Sequence, residues 1–177
     1  MPGRHTARSP RRRARRVDAG FGLIEFLVAL AIVAILSGVG AASYRGVTGR
    51  TSVAVEAGDL LHAMALTRSE AAKRGTRVTL LPAGGDWAAG WTVFVDTNGN
   101  RQVDAGEPLI LVHAHLRATT RVVANTTPGY IAFGAAGTPR QYNGGFLAAT
   151  LTLCDAGVSR SIVLARTGRA RMTAGSC

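Results

Sequence analysis

A nearly uninterrupted apolar run from Phe21 to Leu36 constrains this chain more than any other feature. The single charged residue in the run is Glu25. A carboxylate is costly in hydrocarbon unless a positive group lies beside it. We therefore expect the run to form a helix that anchors the chain in a membrane, with Glu25 paired to a cation. The alternative is a plain signal-anchor helix whose Glu25 reaches the aqueous interface.

The residues before this run have the composition of a targeting segment. Residues 1–20 contain seven arginines and one acid, Asp18, and they end in Gly20. The positive-inside rule keeps such a block in the cytoplasm and places the residues after about position 45 beyond the inner membrane. An ordinary secretory signal would be cut after the run, where residues 41–43 are small, but the small residue that stands out is Gly20.

A long helix is expected to continue beyond the anchor, because residues 11–81 contain no proline to break it. Apolar side chains recur there at the three- and four-residue spacing of a helix with one buried face. They are Val53, Ala57, Leu60, Leu61, Met64 and Ala71. Gly75 is placed to end this helix. The helix is accordingly divided into a transmembrane half, residues 21–42, and an amphipathic half, residues 43–75.

From residue 76 onward, the pattern changes to short runs rich in β-branched residues, separated by glycine and proline turns. The candidate strands are residues 77–81, 90–95, 108–116, 120–124, 130–134, 146–153 and 159–166. Many short strands after one long helix indicate an α+β fold. The C-terminal, β-rich domain is therefore expected to span residues 76–177.

The formal net charge of +11 is unevenly distributed along the chain. Residues 1–20 carry +6, residues 21–107 carry −1, and residues 108–177 carry +6. A basic C-terminal part on a near-neutral first part points to an anionic partner. A scattered, solubilising positive surface would have the same composition, so this alternative stays open at the level of charge alone.

The two cysteines, Cys154 and Cys177, do not form a CxxC pair, so a metal knuckle or a thioredoxin-type motif is not supported. In a chain exported past a membrane, two cysteines suggest one disulfide. The bond would tie the C-terminus to the body of the domain. On the loop-entropy model it would stabilise the fold by about 3 kcal/mol.

The N-terminal segment resembles the class III signal of type IV pilins and type II secretion pseudopilins. The matching residues are Gly20, Phe21, Leu23, Ile24 and Glu25, whereas Gly22 stands where the family usually has threonine. The resemblance implies that a prepilin peptidase cuts after Gly20 and methylates the new N-terminal Phe21. It also implies that the free amine of Phe21, or of a neighbouring subunit, is the cation that pairs with Glu25.

The C-terminal domain resembles the GspH/FimT group of minor pilins and pseudopilins, and most closely the FimT-like minor pilins. The matching segments are Gly90–Asn100 with the following Asp104, Gly106 and Glu107, then Leu153–Asp155, and then Gly168–Arg171. The resemblance implies a type IV pilin-like fold, in which a long N-terminal helix packs on an antiparallel β-sheet domain. It also implies filament partners, namely other pilins or pseudopilins.

The loop that begins at Asp96 has acids and amides at the ligand spacing of an EF-hand calcium loop. These residues are Asp96, Asn98, Asn100, Asp104 and Glu107. Arg101 occupies the position where the motif needs glycine, and the same composition is common in hairpin turns. A structural turn is the preferred interpretation and calcium binding is the alternative. No cofactor is expected, and no nucleophile or phosphate-loop motif indicates an enzyme.

The basic C-terminal part includes a Gly-Arg-x-Arg sequence at Gly168–Arg171. Arg169 and Arg171 would lie on one side of an extended strand, and the guanidinium fork matches phosphate oxygens. In the FimT branch, the resemblance associates this motif with DNA binding during natural transformation. The predicted DNA-binding residues are Arg140, Arg160, Arg166, Gly168, Arg169 and Arg171. Because few aromatic residues lie among them, binding through the DNA backbone, without sequence preference, is expected.

Together, these features predict a minor pilin that is held in the inner membrane by one span, with its C-terminal domain in the periplasm, before it enters a pilus. Its predicted partners are other pilins, the prepilin peptidase, the inner membrane and DNA. The alternative is a purely structural minor pilin, or a GspH-like pseudopilin of type II secretion, with no nucleic-acid role.

Overall fold

The computed structural model describes residues 22–125 and 129–177, without the side chains of residues 39–50. The chain divides into two units, Met1–Ala41 and Ala42–Cys177. The described residues of the first unit lie in the N-terminal part of a helix. The second unit contains the rest of that helix and the β-structure.

Helix α1 spans Leu23–Arg74. It ends as the sequence predicts, because Gly75 adopts a φ of 64° and the Thr76 amide donates to the carbonyl oxygen of Ala71 at 3.3 Å. In the first unit the helix exposes large apolar side chains, among them Leu23, Ile24, Phe26, Leu27, Val28 and Leu30. Within the described residues, the structure has no helix that is both long enough and apolar enough to span a bilayer.

Eight strands follow α1 in the described part of the second unit. They are β1 Val78–Pro82, β2 Trp91–Val95, β3 Leu109–His113, β4 Arg121–Asn125, β5 Ile131–Phe133, β6 Ala149–Asp155, β7 Val158–Leu164 and β8 Ala170–Ser176. Two short 3₁₀ turns, Ala83–Gly85 and Trp87–Ala89, connect β1 to β2. Seven of these strands overlap the predicted runs, whereas β8 was not among the predicted strands.

The strands form two four-stranded antiparallel sheets, in agreement with the antiparallel β-sheet domain that the family resemblance implies. The first sheet has the order β3-β2-β1-β5, and the second has the order β4-β6-β7-β8. In the second sheet, Leu151 of β6 lies opposite Ile162 of β7, which lies opposite Met172 of β8. Strand β8 is therefore an edge strand whose pairing depends on β7 alone.

The amphipathic half of α1 and both sheets share one hydrophobic core. The helix contributes Val53, Ala57, Leu60, Ala63, Met64 and Ala71, and five of these are residues that the helical spacing predicted. The sheets contribute fully buried side chains that include Leu80, Trp91, Ile131, Leu151 and Leu164. Burial of this apolar surface stabilises the packing of the helix on the sheets.

A buried carboxylate on the helix fixes the connection between β3 and β4. Glu56 is only 8% exposed. It accepts hydrogen bonds from the backbone amide of Arg117 at 2.9 Å and from the hydroxyl of Thr120 at 2.6 Å. Since a buried carboxylate without donors would be strongly destabilising, these two bonds set where the chain crosses from one sheet to the other.

Candidate functional site

The Gly-Arg-x-Arg sequence begins in the tight turn that joins β7 to β8 and ends in the first residues of β8. The amide of Gly168 donates to the carbonyl oxygen of Ala165 at 2.9 Å. The amide of Ala165 donates to the carbonyl oxygen of Arg169, also at 2.9 Å. Arg169 is the last residue before β8 begins at Ala170. These two hydrogen bonds close the hairpin turn, and they fix the backbone conformation at Arg169.

Gly168 is required at its position for two physical reasons. Its φ of +82° is a left-handed conformation that side chains disfavour. A Cβ atom there would also lie 2.8 Å from the carbonyl oxygen of Gly137 and 3.2 Å from Nε of Arg68. Arg68 in turn donates from Nη1 to the carbonyl oxygen of Gly168 at 3.0 Å. The glycine thus lets the turn pack closely on α1, and it positions the two arginines that follow.

Arg169 and Arg171 project from the same face of the second sheet. Arg171 lies opposite Val163, and Arg169 bonds to Ala165, two residues further along. The neighbouring positions Ile162 and Leu164 are buried in the core, so the alternation of a strand places both arginines on the outer face. They flank a shallow cavity of about 250 Å³ that is also lined by Val163, Ala165 and Thr167.

The outer face of this sheet carries small hydroxyl side chains. Thr152, Ser161 and Thr173 lie side by side on β6, β7 and β8, and the Thr152 and Ser161 hydroxyl oxygens are 2.9 Å apart. Arg121, which pairs with Cys154, projects from the same face on the opposite edge strand. The face therefore combines hydroxyl donors with guanidinium groups at both edges.

Two further arginines of the predicted set surround an exposed aromatic ring. The guanidinium carbon of Arg140 lies 5.2 Å from the centroid of the Phe146 ring, and that of Arg166 lies 5.9 Å from it. Phe146 is 61% exposed. Arg166 belongs to the same turn as Gly168, so this aromatic group adjoins the turn that carries Arg169.

Arg160 lies on the other face of the sheet. It pairs with Leu153 on one side and Ala174 on the other, and Leu153 is buried in the core. By strand alternation, Arg160 shares the inner face with Ile162. Its Nη1 donates to the carbonyl oxygen of Ser159 at 3.0 Å. The structure therefore does not bring Arg160 together with Arg169 and Arg171.

The arginines around the turn are not neutralised within the described part of the chain. The salt bridges found there join Glu70 to Lys73 and Arg74, and the His113 ring lies 3.5 Å from the Asp59 carboxylate. The hydrogen bond from Arg74 lowers the pKa of the Glu70 carboxyl. Because these ion pairs lie elsewhere, the positive charge of Arg140, Arg166, Arg169 and Arg171 remains available to an anionic partner.

The predicted disulfide between Cys154 and Cys177 is present, with the two Cα atoms 6.1 Å apart. Cys154 on β6 pairs with Ser159 on β7, which pairs with Gly175 on β8. The bond therefore crosses β7 and fastens the end of the edge strand to β6. A Cβ atom at Gly175 would lie 2.9 Å from the Ser159 hydroxyl oxygen, so glycine leaves room at this crossing.

The loop at residues 96–107 uses its acids and amides in hydrogen bonds with one another. Asp96 is 1% exposed. It accepts from the amides of Gly99 at 2.8 Å and Arg101 at 3.2 Å, and from the Tyr142 hydroxyl. The side-chain amides of Asn98 and Asn100 both donate to Asp104, at 2.7 and 2.6 Å.

Glu107 completes this network by accepting from the Thr97 amide at 2.9 Å. Arg101, at the position where a calcium loop has glycine, adopts a φ of 65°. Across residues 22–125 and 129–177, no group of three or more His, Cys, Asp or Glu side chains is arranged to hold a metal ion. The described contacts are those of a polar turn.

Of the predicted processing residues, Gly20 and Phe21 lie outside the described residues. Glu25 lies in the first turn of α1, where its amide donates to the carbonyl oxygen of Gly22 at 3.0 Å. Its side chain is exposed, as are the apolar side chains around it. Sequence reasoning did not identify Arg68 or Phe146 as parts of the site, although both contact predicted residues.

A long N-terminal helix packed on antiparallel sheets is the architecture of the type IV pilin-like class. The family model of the type II transport protein GspH matches residues 56–168, and that of the prokaryotic N-terminal methylation motif matches residues 15–41. The chain belongs to the GspH family of minor pilins and pseudopilins. Such proteins are structural components of filaments and not enzymes, so its partners are other pilins.

Individual relatives agree with this assignment. The chain is 30% identical over 158 residues to the pilin-like protein PilA1 of Thermus thermophilus, which covers 86% of this chain and 97% of that protein. The fold is similar to the crystal structure of the type IV minor pilin FimU of Pseudomonas aeruginosa, with a TM-score of 0.60, 21% identity, and coverage of 73% of this chain and 98% of that one.

The fold is also similar to that of the minor pseudopilin EpsH from the type 2 secretion system of Vibrio cholerae. The TM-score is 0.54 at 12% identity, with coverage of 70% of this chain and 97% of that chain. The α+β, pilin-like fold class predicted from the sequence is therefore confirmed. At these identities the two structures are evidence for the fold alone.

Proposed function

We propose that this protein is a minor type IV pilin that binds DNA without sequence preference through Arg169 and Arg171, as part of DNA uptake in natural transformation. The observation that supports this most directly is the placement of both guanidinium groups on one outer face. They follow a turn that is fastened to α1 through Gly168, and they have no ion-pair partner among the described residues.

The geometry suits the sugar-phosphate backbone of DNA. Residues two apart on a strand are separated by about 7 Å, which is comparable with the spacing of neighbouring phosphates. Each guanidinium can bind a phosphate with two parallel hydrogen bonds. The hydroxyl groups of Ser161 and Thr173, on the same face, can add neutral contacts to phosphate oxygens. Such contacts carry no sequence information, so binding is non-specific.

The other predicted arginines contribute unequally to this proposal. Arg140 and Arg166 lie beside Phe146 and extend the positive surface around the turn. Arg160 faces the core side of the sheet and is therefore not assigned a direct DNA contact. Arg68, which was not predicted, adds a positive charge next to Gly168 and holds the turn in place.

We also propose the route by which the protein reaches the filament. The prepilin peptidase cuts after Gly20 and methylates Phe21, and residues 21–42 anchor the chain in the inner membrane with residues 76–177 in the periplasm. The exposed apolar side chains between Leu23 and Leu36 support this role, since they would otherwise remain in contact with water. On assembly, the same residues pack against neighbouring pilins, and the β-domain reaches the cell surface.

A purely structural role is the second candidate, either in a pilus or as a pseudopilin of type II secretion. It is favoured by the match to the family of the type II transport protein GspH. The two candidates differ in one measurable property, because only the first requires DNA to bind at the outer face.

Fluorescence anisotropy of a labelled DNA duplex, titrated with the purified full chain in neutral detergent, tests the proposal. We expect binding at low salt and an affinity that falls steeply as the salt concentration rises, because each neutralised phosphate contributes about −0.9 to the slope of log K against log salt. A chain that leaves the duplex unbound at low salt would refute a DNA-binding role and favour the structural candidate. Binding that does not change with salt would refute the proposed contacts between the arginines and the phosphates.

A further inference from the structure

The hairpin at residues 140–146 presents an exposed aromatic ring on a well-defined backbone. Phe146 pairs with Arg140 in an isolated antiparallel bridge. Within the hairpin, the backbone amide of Gln141 donates to the carbonyl oxygen of Gly145 at 2.9 Å. The side-chain amide of Gln141 donates to the carbonyl oxygen of Phe146 at 2.9 Å. The next residue, Leu147, is fully buried. The ring is therefore 61% exposed although its backbone is fixed on both sides.

The same hairpin is anchored to the first sheet by Tyr142. Its amide donates to the Tyr130 hydroxyl at 3.2 Å, and its own hydroxyl donates to the buried Asp96. An exposed Phe on a mobile loop would be unremarkable. Here the side chain is held out from a rigid support, which is the arrangement that stacking on a flat ligand requires.

Two guanidinium groups accompany the ring. Arg140 and Arg166 lie 5.2 and 5.9 Å from its centroid, towards the outer limit of a cation–π contact. Contacts at this distance are weak, so an arriving planar group can take a place on the ring. Arg140 is held beside the ring by a hydrogen bond from Nη1 to the carbonyl oxygen of Gly144 at 3.2 Å, and its remaining N–H groups can donate to neighbouring phosphates. Because Arg166 and Arg169 belong to one turn, a DNA strand that lies on the Phe146 ring can also place its phosphates beside Arg169.

We propose that Phe146 stacks on an unpaired base and that this surface consequently prefers single-stranded DNA to duplex DNA. Single-stranded nucleic acids are held by the combination found here, an aromatic platform with flanking cations. In a duplex the bases are already stacked, and exposing one requires unpairing and unstacking it. The duplex can therefore use the arginines but not the ring. This inference rests on the proposed DNA-binding function and names the form of DNA that the site takes.

The experiment compares three labelled probes of equal length with the full chain in neutral detergent: a polythymidine strand, a duplex, and an abasic strand that keeps the phosphates but lacks bases. We expect the parent to bind polythymidine more tightly than the other two probes. Phe146→Leu, which keeps an apolar side chain but removes the π face, should lose about tenfold in affinity for polythymidine. Its affinities for the duplex and the abasic strand should stay within about twofold of the parent's.

Two further variants control for folding and for general loss of apolar surface. Phe146→Tyr keeps the aromatic face and should bind polythymidine as the parent does. Leu109→Ala removes an apolar side chain that is 53% exposed on the other sheet, and should leave all three affinities unchanged.

The outcomes separate the two proposals. Equal binding of polythymidine by Phe146→Leu and the parent, or equal binding of polythymidine and the abasic strand by the parent, overturns the stacking inference. If the duplex still binds in a salt-dependent manner in that case, the proposed DNA-binding function stands. If the parent binds none of the three probes, both proposals fail.

Discussion

Arg68 on α1 donates a hydrogen bond from Nη1 to the carbonyl oxygen of Gly168, at 3.0 Å, although the two residues are 100 positions apart in the chain. This bond joins the helix to the turn that carries Arg169. It gives the glycine of the Gly-Arg-x-Arg sequence a structural role, which is to let the turn approach the helix. The arginines then provide the charge.

The first prediction concerns that glycine. Gly168→Ala should lower the free energy of unfolding by at least about 1 kcal/mol more than Gly157→Ala does. Both positions have positive φ, +82° and +78°, but a Cβ at Gly168 meets the Gly137 carbonyl oxygen at 2.8 Å whereas nothing lies within 4 Å of one at Gly157. Urea denaturation of both variants measures the difference. Equal losses for the two variants would mean that the close approach of the turn to the Gly137 carbonyl oxygen does not require glycine at position 168.

The sequence indicated that Arg169 and Arg171 share one face, but it grouped with them Arg160, which lies on the other face, and it did not indicate what supports the turn. The Gly-Arg-x-Arg spacing is local and can be read directly from residues 168–171. No local sequence pattern indicates the role of Arg68, because arginine is common on exposed helix faces and its partner, Gly168, lies 100 positions further along the chain. Phe146 was predicted to start a strand at residues 146–153, whereas β6 starts at Ala149 and Phe146 pairs with Arg140 in a separate bridge.

The sequence also predicted part of the fold, namely the buried face of α1 and seven of the eight strands that the structure describes. The helical spacing identified the buried residues of α1 because burial on one face imposes that period. Strand β8 was missed because Ala170–Ser176 has a single β-branched residue, Thr173, and forms a strand through its pairing with β7. The division into two sheets depends on which strands pair, and this is set by contacts that are remote in sequence.

The second prediction concerns the disulfide. Cys154→Ala combined with Cys177→Ala should lower the free energy of unfolding by about 3 kcal/mol, because the unfolded chain regains the entropy of an open loop. Chemical denaturation without reductant measures the loss. The parent denatured in the presence of reductant serves as the matched comparison and should behave as the double variant does. An unchanged stability would show that pairing with β7 is sufficient to hold β8.

The third prediction concerns alkaline pH. Burial, and next the hydrogen bond to Asp96, raise the pKa of the Tyr142 phenol well above its ordinary value. Above about pH 10 the phenol ionises in the unfolded chain but stays protonated in the folded one. The folded state then binds more protons, so stability is present below that pH and is lost as the pH rises.

Unfolding measured from pH 9 to 12 should therefore show a steeper loss of stability for the parent than for Tyr142→Phe. The difference should be below about 1 kcal/mol per pH unit, since the side chain is only partly buried and solvent screens its charge. Parallel pH profiles for the two proteins would mean that the hydroxyl of Tyr142 is not shielded in the folded state.

The fourth prediction concerns Glu25. Glu25→Ala should leave the β-domain folded but prevent incorporation into the filament, because it removes the carboxylate that we propose pairs with the N-terminal amine of Phe21 or of a neighbouring subunit. Immunoblots of sheared pili measure incorporation. Glu70→Ala removes an acid from the same helix outside the apolar run and should assemble normally. Normal incorporation of Glu25→Ala would contradict the role assigned to this carboxylate.

The most direct test of the DNA-binding account is the salt dependence of DNA affinity for Arg169→Gln combined with Arg171→Gln. The matched control is Lys73→Gln combined with Arg74→Gln, which removes the same charge from side chains that Glu70 already pairs with. The account predicts that the first variant loses affinity and that its slope of log K against log salt becomes shallower by about 2, while the control keeps the parent's slope. A double variant at residues 169 and 171 that binds DNA with the parent's affinity and slope would contradict it.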